Sequence, residues 1–125
     1  MDAPRVGDVV RVDYRGTEGS EPNKLRWSIV VDAGSVRNLQ TLLVVPCSSR
    51  DARRTQPTAV HVPAGAGGIP EDSVALWHLL FPASLTRLES GVAGNVGDHL
   101  LRQIRLVLAD LLGIDAEVFL GDTSS

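Results

Sequence analysis

Residues 16–31, GTEGSEPNKLRWSIVV, decide how the rest of the chain is read: a polar, glycine-rich loop delivers one arginine, Arg26, onto the start of an apolar run. Gly16 and Gly19 permit positive φ, Pro22 fixes its own φ, and Ser20 and Glu21 set polar side chains between them. The segment is therefore a shaped loop between two strands. The run Ser28-Ile29-Val30-Val31 reads as a buried strand.

Working outward, residues 7–14 alternate, with Val9, Arg11 and Asp13 on one side and Val10, Val12 and Tyr14 on the other, as a strand in a curled sheet does. The second strand runs over 28–32 and a turn follows at Ala33, Gly34, Ser35 and Asn38. Residues 41–47, rich in Leu and Val, predict a third strand buried on both faces. Residues 48–56 form a polar loop with Arg50, Arg53 and Arg54, and 58–62 alternate as a fourth strand. Residues 63–68, PAGAGG, are too glycine-rich for regular structure and predict a mobile connection. A fifth strand is expected over 72–80, and Ser84 is placed to cap a short helical turn before Leu88.

The last element is a helix over 98–112. Leu100, Leu101, Ile104, Val107, Leu108, Leu111 and Leu112 recur at helical spacing, and Gly113 is a natural terminator. Several short strands followed by one amphipathic helix predict a mainly β fold: a small curled antiparallel sheet with a helix packed on it.

The 125 residues predict a single domain over 1–125, its core at about 7–113 and a tail at 114–125. No apolar run approaches the ~18 residues of a membrane span, and residues 1–5 lead into no signal-peptide core, so a cytoplasmic protein with no membrane attachment is expected. Cys47 is the single cysteine and His61, His78 and His99 are scattered, which predicts neither metal nor cofactor. A net charge of −3 argues against binding nucleic acid through bulk charge alone. Yet residues 1–54 hold nine Lys/Arg against seven Asp/Glu (+2), and residues 55–125 hold three against eight (−5), so the relatively basic half carries the Arg26 loop.

The order Gly19-Ser20-Glu21, four residues, then Arg26, set between Gly7-Asp8-Val9-Val10 and an apolar strand, resembles the MazF/PemK family of toxin ribonucleases. Val44-Val45-Pro46-Cys47-Ser48-Ser49-Arg50 and Pro70-Glu71-Asp72-Ser73-Val74 look like two further strands of that family, in order, over about residues 7–113. The resemblance implies an SH3-like barrel of about five to seven mostly antiparallel strands with a C-terminal amphipathic helix. It also implies the toxin of a type II toxin–antitoxin pair: a metal-independent, sequence-selective endoribonuclease that cuts single-stranded RNA to a 2′,3′-cyclic phosphate. The expected partners are a second copy in a homodimer, a cognate antitoxin and the RNA itself, with the toxin–antitoxin complex binding DNA.

By the same resemblance Arg26 and Ser48 are the catalytic pair, Ser48 standing where relatives usually carry threonine, and Ser20 and Glu21 lie beside bound RNA. The chemistry suits the residues. A guanidinium is a rigid, permanently charged fork matched to phosphate oxygens, and a strand-end hydroxyl can donate to the same phosphate. Arg50 extends the phosphate contacts or is a solvated surface charge. Trp27, where many relatives have proline, stacks an unpaired base or belongs to the core or a dimer interface.

One stretch departs from the family. His78-Leu79-Leu80-Phe81 replaces a run that usually carries glutamine and arginine, and with Trp77 it can enlarge an apolar dimer or antitoxin surface. That departure keeps open a second reading, a non-catalytic toxin acting by protein binding like the gyrase-poisoning relatives of this barrel, and a third, a plain SH3-like interaction module. His78 also offers a group able to move a proton near neutral pH.

Overall fold

The computed structural model describes residues 3–16, 25–33, 41–50, 59–89 and 91–114. Alternation along β1 (Asp8–Asp13) sends Val9 to one face of a sheet and Val10 and Val12 to the other, and each face carries its own core. The remaining strands are β2 (Leu25–Asp32), β3 (Thr41–Ser48), β4 (Val60–Val62), β5 (Ser73–Ala75), β6 (Phe81–Ser84) and β7 (Gly94–Asn95). They form a curled sheet in the order β4-β5-β3-β2-β1-β7, with β6 also on β3 and every pairing antiparallel. The helix α1 (Asp98–Leu111), the one α-helix among the described residues, follows. The expected mainly β fold with a C-terminal amphipathic helix is what the chain adopts.

β3 is the hub. One of its edges pairs with β2; the other is divided, residues 41–44 pairing with β6 and Cys47 and Ser48 with β5. Pro46 sits at the handover. Its carbonyl accepts the Leu76 N–H at 2.8 Å, so the N–H it lacks would lie on that same edge, between β6 and β5, where no strand needs it. Val31 is the extra residue of a bulge in β2, and its carbonyl accepts a bond from the Arg105 guanidinium of α1 at 3.3 Å.

The helix buries Leu100, Leu101, Ile104 and Leu108 against Val9, Ile29, Val45 and Cys47. Ile104 is fully buried, worth about 1.5–3 kcal/mol of transfer free energy. α1 ends as its glycine predicts: Gly113 has φ 73°, the Ile114 N–H reaches the Ala109 carbonyl at 2.9 Å, and the Gly113 N–H reaches that of Asp110 at 3.1 Å. Leu111 and Leu112, expected on the apolar face, are instead exposed: the helix ends at Leu111, and Leu112 already lies past its last helical residue. No helix among the described residues is long and apolar enough to cross a membrane.

The opposite face packs Val10, Val12, Tyr14, Val30, Leu42, Val44 and Ala83. Tyr14 is fully buried, meets Phe81 edge to face at 5.0 Å and shares a 2.8 Å hydrogen bond with the Ser28 hydroxyl. Burial raises its phenol far above the ordinary range. At the exposed end of β1, bonds from Arg15 hold the Asp13 carboxyl down at about 2. That contact is complete above the ordinary carboxylate range and is released only as pH falls toward that value.

Three sequence expectations are corrected. Residues 72–80 are not one strand: β5 stops at Ala75, a 3-10 turn spans Trp77–Leu79, and β6 begins at Phe81, since the divided edge of β3 makes the chain leave one pairing before joining the next. Residues 63–68 are not a mobile connection, because the turn Ala66–Gly68 is packed against β1 and β7; a Cβ on Gly67 would lie 2.4 Å from Val9 Cγ2, and one on Gly94 would lie 2.8 Å from the Gly67 main chain. The turn Leu85–Arg87 does follow Ser84, but the Ser84 hydroxyl bonds Thr86 at 2.7 Å and caps no backbone N–H. The strand expected over 58–62 is described only from Val60, and the turn around Gly34, Ser35 and Asn38 lies outside the described residues.

Candidate active site

The Arg26 backbone is fixed by the β1–β2 ladder, in which Val12 faces Arg26 and Arg11 faces Trp27. Ser28 lies opposite Pro46, so continuing that register two places brings Arg26 to the Cys47–Ser48 end of β3. There the Arg26 Nη1 donates a long bond of 3.4 Å to the Cys47 carbonyl. Its Nε is buried and has no partner among the described residues. Beneath it the Ser28 hydroxyl, paired to Tyr14, also lies 3.4 Å from the Arg26 carbonyl. A buried donor left unpaired costs about 1–3 kcal/mol, so the fold keeps this guanidinium partly stripped of water at some expense in stability.

Arg26 lines a cavity of about 360 Å³. Ser48, Ser49 and Arg50 reach it from the end of β3, Trp27 from β2 and Arg11 from β1, while Ile69, Pro70, Glu71 and Ser73 close it from the segment leading into β5. Of the residues singled out from sequence, Arg26, Trp27, Ser48 and Arg50 thus meet at one cavity, and Ser20 and Glu21 lie outside the described residues. Ser48 is buried and Arg50 exposed. Trp27 is half-buried: it packs on the helix-side core and carries the Arg11 guanidinium 5.3 Å from its ring centroid.

Sequence reading missed Arg11 and Glu71. Arg11 becomes visible only once β1 is paired with β2 in register, and Glu71 only once β5 is paired with β3. With Arg11, Arg26 and Arg50 against Glu71, the lining carries three fixed positive charges and one carboxylate in a chain of net charge −3. Such a concave, cationic site suits an anionic ligand.

His78 is exposed and stacks edge to face on Trp77 at 5.6 Å; it does not line the cavity, which removes it as the proton-transfer group of this site. The apolar residues around it are half-buried. Trp77 and Leu80 pack on the helix-side core and Phe81 on the other, and none of Trp77, Leu79, Leu80 and Phe81 is fully exposed. No three side chains of the His, Cys, Asp or Glu types converge as a metal site among the described residues.

Cys47 also lines the cavity, but burial pushes its thiol up to about 12, against a smaller opposing pull from Arg26. The folded protein is therefore expected to resist iodoacetamide at pH 8 and to be alkylated rapidly once unfolded in guanidinium. Rapid labelling of the native state, read by mass spectrometry, would contradict this burial.

A sheet hub that sets an arginine and a hydroxyl at one cationic cavity defines a class as well as a fold. Residues 5–112 match the model of the PemK-like, MazF-like toxins of type II toxin–antitoxin systems. The chain belongs to that MazF/PemK toxin family. Solved structures agree on the fold: MazF from Deinococcus radiodurans superposes with a TM-score of 0.76 at 20% identity, covering 91% of this chain and 100% of that one. An endoribonuclease from a mycobacterial species gives 0.68 at 21% identity, over 92% and 96% of the two chains. A mycobacterial endoribonuclease in complex with its cognate antitoxin gives 0.67 at 21% identity, over 89% and 96%. No curated protein sequence matches the chain.

Proposed function

We propose that the chain is a metal-independent, sequence-selective endoribonuclease acting on single-stranded RNA in the cytoplasm. The observation that carries this reading is Arg26: it lines a cavity shared with Ser48, one arm is tied to the main chain, and its Nε is buried and unpartnered. A charge already stripped of water binds a phosphate more strongly than a solvated one, and its rigid fork fits phosphate geometry. Arg26 stabilises the negative charge that builds on the phosphorus-bound oxygens during attack by the 2′-hydroxyl, and Ser48 donates to the same group. Arg50 extends the phosphate path, Ser20 and Glu21, which precede β2 in sequence, contact RNA, and the Arg11–Trp27 pair borders the base side. The products are a 2′,3′-cyclic phosphate and a 5′-hydroxyl.

Membership of a toxin–antitoxin family supports a homodimer held in check by a cognate antitoxin. The apolar run that suggested the protein-binding reading is partly taken up by packing, Trp77 and Leu80 against one core and Phe81 against the other. The test is to incubate the purified chain with a long single-stranded RNA in EDTA. Discrete fragments bearing 5′-hydroxyl ends are expected, and intact RNA under those conditions would reject the proposal.

A further inference from the structure

We propose that Arg11 is a platform for one unpaired base: carried on the indole of Trp27, its guanidinium stacks a base of the RNA whose phosphate lies at Arg26. The inference rests on the endoribonuclease reading and adds to it the residues that hold a base beside the cut.

The β1–β2 ladder builds the pair. On the helix side of the sheet Val9 faces Ile29, and both are fully buried in the core. The next facing pair on that side is Arg11 and Trp27, and there the core gives way to the cavity that both of them line. Trp27 packs against the helix-side core, which holds its ring, and the Arg11 Cζ lies over that ring at 5.3 Å from the centroid. Indole is the ring that attracts a guanidinium most strongly. Arg11 is thereby held without a carboxylate, since the single ion pair among the described residues joins Arg15 to Asp13. Yet Arg11 is exposed, so the side of its guanidinium turned away from the indole is open to a ligand.

The chemistry of that open side selects a base. A guanidinium is planar, delocalised and weakly hydrated, so it stacks on a flat ring where an ammonium does not. Single-stranded RNA is held through unstacked bases laid on aromatic rings or guanidinium planes. Arg26 and Trp27 are consecutive residues, one offering its charge to the phosphate and the other carrying Arg11. Base and phosphate therefore belong to the same nucleotide or to adjacent ones. A base inside a duplex is already stacked on its neighbours, so the platform favours unpaired RNA.

The experiment first maps a cut made by the full wild-type chain in single-stranded RNA in EDTA. Binding is then measured to an oligonucleotide spanning that site, made uncleavable by a 2′-deoxy nucleotide at the cut, and to copies lacking the base at one position on either side. Arg11→Ala and Arg11→Lys are each expected to bind the intact probe about tenfold more weakly than wild type. At one abasic position wild type is expected to weaken by the same factor, with no further loss in either variant. Trp27→Leu, which acts through Arg11, is expected to lose about as much on the intact probe and nothing relative to wild type on that abasic one, and the double variant to bind no more weakly than either single. Wild-type affinity in Arg11→Lys, or an Arg11→Ala loss that persists on every abasic probe, would overturn the platform and assign Arg11 to a phosphate. Either result leaves the endoribonuclease reading intact. A wild-type chain that cuts no RNA ends both.

Discussion

Replacing Arg26 by alanine is expected to lower the rate of RNA cleavage by about 10³-fold while leaving the melting temperature unchanged or slightly raised. The two halves of that result share one cause. In the folded chain the guanidinium holds a buried Nε with no partner among the described residues, so truncation relieves a desolvation penalty even as it removes the charge that meets the phosphate. Arg26→Lys is expected to recover little, because a point charge cannot keep both the tie to the Cys47 carbonyl and a second donor aimed at the ligand. Single-turnover kinetics and thermal melts on the same preparations check both halves. An alanine variant cutting within tenfold of wild type would remove Arg26 from the catalytic role.

Gly67→Ala is expected to destabilise the protein by about 3 kcal/mol, a fall in Tm of roughly 10 °C. Two effects add. Gly67 sits at φ 59°, where a side chain is strained, and its Cβ would press to 2.4 Å from Val9 Cγ2 inside the core, beside Val96. Gly65→Ala separates them: φ is 93° there too, yet nothing lies within 4 Å of the added carbon, so about 1 kcal/mol is expected. Equal losses in the two variants would show that the turn is not packed as described.

This comparison also shows which parts of the structure local sequence could reveal. β1, β3 and α1 are legible because alternation, an apolar run and a terminal glycine each have one dominant physical reading. The PAGAGG run does not: glycine serves flexibility and close backbone approach equally well, and only the position of Gly94 and Val9 in space decides between them. Residues 72–80 misled for a similar reason. An apolar run reports burial, and whether it is buried as one strand or as strand, turn and strand depends on how β3 shares its edge.

The site divides along the same line. Arg26 and Ser48 flank strands adjacent in sequence, so a hairpin-like pairing brings their ends together without knowledge of the rest. Glu71 lies more than twenty residues further along the chain and joins them only through the β3–β5 ladder. β7, two residues long, carries too little pattern to be found at all.

The tether on Arg26 runs to the main-chain oxygen of residue 47, an atom every amino acid possesses. The side chain at 47 is thus free to drift among whatever small shapes the interior accommodates, with the guanidinium held at the same address. The thiol itself takes no part in that contact, so the arginine's mooring is expected to survive exchange of residue 47 for another small side chain.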